Sequence, residues 1–277
     1  MTDSGAHRDQ IPALVLLGGL VTTLLVSGLM ATIALDRRNK EFETEAVRAR
    51  TAVLTRVETS LALLRATAGI FTSRPGLVTV AEFATYVDRL ELPVRYPGLL
   101  GIGFARVFAP GREPEVEAEM RSMGRDDFRV WPEVSDPQLR SAITFLEPLG
   151  ARNAAALGFD MASDATRRVA MARARDTGLP SATAVVELVQ EIYGEKQPGF
   201  LIYLPVYTIG TPLDDAEARR TRIRGFAYTP VRAGDFLSTA FLGEAEPAVD
   251  MAVYHGSTPD PARLLYRRGD VEHLARR

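Results

Sequence analysis

No cysteine occurs in the 277 residues. That excludes disulfides, thiolate nucleophiles, Cys-ligated zinc and Cys-bound iron–sulfur clusters. It leaves the compartment open, since an exported protein can hold its fold without disulfides. Lysine is nearly absent as well: Lys40 and Lys196 are the only two among 33 basic residues. The remainder are arginines, a bias that points to GC-rich bacterial coding rather than to a charge design. Neither sign of charge dominates, with 35 acidic residues and a formal net charge of −2. Nucleic acid, which needs a basic face, is therefore not an expected partner. The single tryptophan, Trp131, reads as packing. The three histidines, His7, His255 and His273, lack HExxH-type spacing, so neither a metal site nor a cofactor is expected. The chain has no phosphate loop, nucleophile elbow, kinase signature or cyclase GGDEF-type motif, and no catalytic residue is assigned. The expectation is that this chain is not an enzyme.

What it does have is one long apolar block. Ile11 to Leu35 reads IPALVLLGGLVTTLLVSGLMATIAL, 25 residues without a charge. At about 1.5 Å per residue it spans roughly 37 Å, enough to cross a ~30 Å hydrocarbon core with some tilt. A signal peptide has a shorter apolar region, about 7–15 residues, so an uncleaved anchor is the preferred reading. Orientation is contested. Arg37, Arg38 and Lys40 come after the block while Arg8 alone precedes it, and the positive-inside rule would keep the C-terminal side cytoplasmic. Long domains, however, translocate largely regardless of such charges.

Lys40 to Thr72 reads as a helical stalk. Steps of three and four pick out Val47, Arg50, Leu54, Val57, Leu61, Leu64, Ala68 and Phe71, an apolar seam with one polar interruption. Two readings stay open: the seam packs on its own domain, or it pairs with a second copy. Beyond it the texture is mixed helix and strand. Helices are expected over 80–90, 114–123 and 233–242. Strands are expected over 99–108, 129–131, 142–146, 225–231, 248–254 and 264–266. The clearest strand is Phe200 to Tyr207, with Phe200, Ile202, Leu204 and Val206 on one face and Pro205 arguing against a central position. Thr211 to Arg224 is charge-rich and reads as an exposed linker, so one αβ unit is expected to end near residue 208 and a second to come after it.

Residues 158–207 carry the most information. Ser163 or Asp164 suits the N-cap of a helix running to about Asp176, and Gly178 its left-handed stop. Ala170, Met171 and Ala174 make the apolar side of this helix, with Arg167, Arg168, Arg173 and Arg175 on the other. Asp160 stands before the cap, where the helix does not need it. The run GFDMASD…RR…AMARARDTG, followed by PGFLIYLPVY, resembles a CHASE domain. That extracytoplasmic sensor family occurs in plant cytokinin receptors and in bacterial histidine kinases and cyclic-nucleotide or cyclic-dinucleotide enzymes. The resemblance covers roughly residues 75 to 230.

The resemblance implies a fold and a function. The fold class is α+β: a transmembrane helix (11–35) after a short cytoplasmic tail (1–10), a stalk (36–74), and two PAS-like units. The membrane-distal, ligand-binding unit would span 75–208 and the proximal one 209–277. Stalks would pair in a homodimer, and residues after Leu35 would lie in the periplasm, anchored in the bacterial inner membrane. In plant members an Asp at the position of Asp160 hydrogen-bonds an adenine-type ligand, and a backbone group near the position of Ala182 assists. A carboxylate suits that work, and Thr183 could add a hydroxyl. Phe104 and Tyr203 are further candidate lining residues. The stretch Val189 to Lys196 departs from the plant receptors, so the expected ligand is an unspecified small molecule. The alternative is that this is the N-terminal part of a sensor histidine kinase or diguanylate cyclase, since 277 residues are enough for the sensor and too few for the output domain.

Overall fold

The structure, a computed structural model, describes residues 10–72, 77–133, 139–189, 197–210, 212–241 and 248–269. The tail before residue 10, residues 190–196 of the departing stretch and His273 lie outside the described residues. In chain order the elements are α1 (Gln10–Thr72), α2 (Val80–Asp88), α3 (Leu92–Arg95), β1 (Ile102–Phe108), α4 (Glu113–Ser122), β2 (Arg140–Glu147) and α5 (Ala151–Ala154). They continue with α6 (Ala165–Thr177), β3 (Ser181–Ala182), β4 (Gly199–Tyr207), α7 (Ala216–Arg222), β5 (Ile223–Arg232), α8 (Ala233–Ser238), β6 (Met251–Tyr254) and β7 (Leu264–Arg268). Contacts divide the chain into two units, Met1–Thr51 with Pro247–Val249, and Ala52–Glu246 with Asp250–Arg277.

The first unit is dominated by the apolar part of α1. It holds an 18-residue window of mean hydropathy 2.0, none of it buried, and is long and apolar enough to cross a membrane. Val15, Leu20, Leu24, Leu29 and Ile33 are all exposed. Apolar side chains on every face of one helix fit a lipid surrounding better than water.

In the second unit the last turns of α1 become a core element. Leu64 is fully buried and Phe71 nearly so. Val57, Leu61 and Ala68 pack on the same cluster, whereas Val47 and Leu54 are exposed. The stalk seam thus packs on its own domain from Val57 onward. The carbonyl of Phe71 accepts a hydrogen bond from Arg224 of β5 at 2.8 Å. This brings a cation to the C-terminal end of a helix that has none in its own last turn, where the helix dipole favours one.

The main sheet has five antiparallel strands in the order β2-β1-β5-β4-β3. Alternation sends its side chains to two different cores. Phe104, Phe145, Ile202, Val206, Ala227 and Val231 face a cluster that includes Leu64 and Phe71 of α1. Ala105, Ile143, Leu201, Tyr203, Phe226 and Tyr228 face one that includes Ala170, Met171 and Ala174 of α6. The expected even face of β4 is therefore the stalk face. β3 pairs with β4 only at Ile202 and Tyr203, so Pro205 lies where β4 is an edge, as proline requires.

Three expectations need correction. A boundary at 208/209 would cut this sheet, because β5 lies between β1 and β4. The strand expected to open a second unit pairs with Tyr203–Leu204 on one side and Gly103–Phe104 on the other. After β5 come α8 and the separate two-stranded sheet β6-β7. The expected linker 211–224 contains α7: Asp215 caps it by accepting from the Ala218 N–H at 2.7 Å, and the run AEARR favours helix. At 129–131 only Trp131 makes a bridge, to Phe159.

α7 is tied to α6 through Asp176. Its carboxylate accepts from Arg220 (2.7 and 3.1 Å) and Arg175 (2.7 Å). Those hydrogen bonds, Arg220's foremost, hold its pKa well below the usual carboxylate range. A depressed carboxylate stabilises the fold at pH values above its unfolded pKa of about 3.9 and loses that contribution as pH falls below it. Because Arg220 is half exposed, Asp176→Asn should cost only about 0.5–1 kcal/mol at neutral pH. Urea midpoints at pH 7 and pH 3 check this: the gap between parent and variant should begin to narrow at the lower pH, without closing there.

Candidate functional site

Sequence alternation and strand register together build one polar row on the α6 face of the sheet. Ser181 pairs with Tyr203, Tyr203 with Tyr228, and Tyr228 with Gly103. Cross-strand partners point to the same side of a sheet, so Ser181, Tyr203 and Tyr228 lie side by side across β3, β4 and β5. Gly103 completes the row on β1 by having no side chain. A Cβ there would run into the Tyr228 ring.

Arg167, in the first turn of α6, acts electrostatically on both tyrosines of the row. Its side chain is buried, 4% exposed. One guanidinium nitrogen donates to the Glu187 carbonyl at 3.0 Å, and the guanidinium lies 4.8 Å from the centre of the Phe159 ring. Its Nε has no partner. The Tyr203 hydroxyl donates to the Met161 sulfur at 3.1 Å. The Tyr228 hydroxyl and the Ser181 hydroxyl have none, although both residues are buried. Burial pushes both phenols above their ordinary pKa, and the Arg167 charge acts against that shift. Buried polar groups in folded proteins are nearly always satisfied, so a buried cation with an unpartnered Nε and two unpartnered hydroxyls in the adjoining row call for an explanation.

The five residues singled out in the sequence fall in different places. Tyr203 is in the row. Thr183 is buried beside β4, where its hydroxyl accepts from the Leu201 N–H at 3.0 Å. Ala182 is on the outer edge strand and lines a cavity of about 340 Å³ with Thr166, Arg173, Ala184 and His255. Phe104 lies on the opposite face of the sheet, its ring stacked on Phe71 at 4.0 Å. There it borders a second cavity of about 230 Å³ with Arg106, Glu119 and Arg224. Phe104 and Tyr203 therefore cannot touch the same small molecule.

Asp160 is 1% exposed. One carboxylate oxygen accepts from the N–H groups of Ser141 (2.8 Å) and Ala162 (3.0 Å). The other lies 2.7 Å from Arg140 Nε. That N–H does not point at the oxygen, so the contact is coulombic rather than an aligned hydrogen bond. Asp160 thus joins the loop before α6 to the end of β2.

Arg167 and Tyr228 are the residues that sequence reasoning missed. Grouping Arg167 with the other arginines puts it on the solvent side of α6, yet it stands three, four and seven positions before Ala170, Met171 and Ala174. That spacing puts it on the apolar stripe. Tyr228 comes after Phe226 at the two-residue period of a strand.

The sheet thus has one face on the helix that carries the apolar segment and the other around buried polar groups, some of them unpartnered. The CHASE domain model matches residues 76–266; the chain belongs to the CHASE family, whose members are extracytoplasmic sensory modules. Among curated proteins, no significant match is found.

Proposed function

We propose that the chain is the ligand-sensing input of a membrane signalling protein, with the polar row beneath α6 as its small-molecule site. The observation that carries this reading is the position of the family match, which begins at residue 76, immediately beyond a membrane-length helix that ends at Thr72. The antiparallel sheet with helices on both faces supports a PAS-like unit. Its extent, from β1 through β5, supports a ligand-binding unit over roughly 77–232 in place of the expected 75–208.

In this reading residues after Leu35 are extracytoplasmic, in the periplasm of a bacterium, and the chain has no catalytic role of its own. Ligand bound against β4 and β5 acts on the sheet whose other face holds Leu64 and Phe71 of α1. Arg224, at the start of β5, grips the carbonyl end of that helix. The exposed seam residues Val47 and Leu54, seven positions apart, supply a face for a second copy of the stalk. A ligand biases such an assembly only through different affinities for its two states.

Export is tested by fusing topology reporters after Gly150. The expected result is activity of a reporter that works only after export and silence of one that works only in the cytoplasm. The reverse pattern would overturn the reading.

A further inference from the structure

Arg167 is a buried cation without a buried anion. Among the described residues no carboxylate forms an ion pair with it, and the Glu187 carbonyl is the one hydrogen-bond acceptor its side chain uses. Asp164, three residues before it, spends an oxygen on the Arg167 backbone N–H at 2.8 Å, as the cap of α6. The ring face of Phe159 offsets part of the charge. A cation in a dry interior is costly unless it is paired. Tyr228, whose phenol feels the Arg167 charge, and Ser181, in the same row, have hydroxyl donor protons and nothing to give them to.

Resting on the sensory reading above, we infer that this site takes a small organic monocarboxylate, its anionic group held by Arg167 and its remaining polarity met by the hydroxyls of Tyr228 and Ser181. The charge count selects this class. One guanidinium with neutral hydroxyls neutralises a single negative charge. A phosphate dianion would leave excess charge in a site walled by Met161, Phe159 and Phe226. A carboxylate also matches the fork of an arginine, which can give two parallel N–H groups to its two oxygens. Binding exchanges the Glu187 carbonyl, an acceptor from the stretch after β3, for the ligand. The backbone around Glu187 is therefore the part that moves, and a neutral acceptor, no better a partner than the carbonyl it displaces, would gain little from that exchange.

The test is thermal unfolding of the full chain in detergent. The probes are sodium acetate, pyruvate and benzoate, set against acetamide, inorganic phosphate and sodium chloride at equal ionic strength. At least one carboxylate should raise Tm by about 5–10 °C at a hundredfold excess over its Kd, while acetamide, phosphate and chloride leave it unchanged. Arg167→Met should abolish the shift and keep or raise the ligand-free Tm, because it removes an uncompensated buried charge. Tyr228→Phe keeps the ring and should weaken carboxylate affinity about 5–10-fold. Three results would overturn the inference: no shift with any carboxylate, an equal shift in Arg167→Met, or a ligand-free Arg167→Met that melts far below the parent. If neutral metabolites stabilise parent and Arg167→Met alike, the sensory reading stands and the anion falls. If nothing stabilises the parent, both fall.

Discussion

Asp160→Ala should destabilise the second unit by about 3–5 kcal/mol, the cost of removing one partner from a buried ion pair. Arg140 is 4% exposed and sits 2.7 Å from the lost carboxylate. It keeps Glu113 at 3.0 Å and the Pro132 carbonyl at 3.2 Å, so its charge is not stranded completely, which holds the cost to that range. The N–H groups of Ser141 and Ala162 also lose their acceptor, and neither is open to water. Chemical denaturation of the full chain measures the effect. Asp160→Asn should recover part of the loss, since an amide oxygen still accepts from both N–H groups. A melting point unchanged in Asp160→Ala would show that the carboxylate is free for another task, as the family resemblance alone suggests.

Gly158→Ala should cost about 2–5 kcal/mol through two additive penalties. Gly158 has φ +78°, where an L-residue loses about 1–2 kcal/mol. Its Cβ would also enter the space of the Arg129 carbonyl, and overpacking of this kind costs about 1–3 kcal/mol. The segment cannot yield easily. The Gly158 N–H donates to Ile143 O at 2.9 Å and its carbonyl accepts from Trp131 N at 3.0 Å. The Asp160 N–H donates to Trp131 O at 2.6 Å. Residues 158–160 therefore act as an irregular addition to the β2 edge, and the GFD of the motif is a joint: glycine for the close approach, aspartate for the anchor. Gly150→Ala, at a position with open space around the missing Cβ, is the control and should move the denaturation midpoint little.

How far the sequence reaches depends on which interactions are local. α6 was legible from end to end because its signals are short-range: Asp164 accepts from Arg167 N at 2.8 Å, and Gly178 takes φ +73° at the stop. The faces of β4 were legible from its two-residue period. The partner of β5 was not, because nothing within 223–232 states that it inserts between β1 and β4. That choice is made by strands about 20 and 120 residues away, through register. α7 was obscured by its charge, which reads as solvent exposure whether or not the backbone is helical.

The site shows the same division. Asp160 and Tyr203 could be singled out as chemistry-bearing residues. Whether they share a cavity depends on which face each occupies and on who else is buried there. Phe104 illustrates the loss most directly. Its neighbour Ala105 faces α6, so a single step along β1 puts Phe104 against the stalk. The row of Ser181, Tyr203, Tyr228 and Gly103 exists only once four strands are in register.

The most direct test of the account is amide hydrogen exchange on the full chain, with and without the compound that gives the largest Tm rise in a broad metabolite screen. The account predicts slowed exchange in Arg167–Ala174, Ser181–Val189 and Leu201–Tyr203, the elements around the polar row. Protection confined to the opposite face, around Phe71, Phe104 and Arg106, would contradict it, as would a screen in which no compound stabilises the protein.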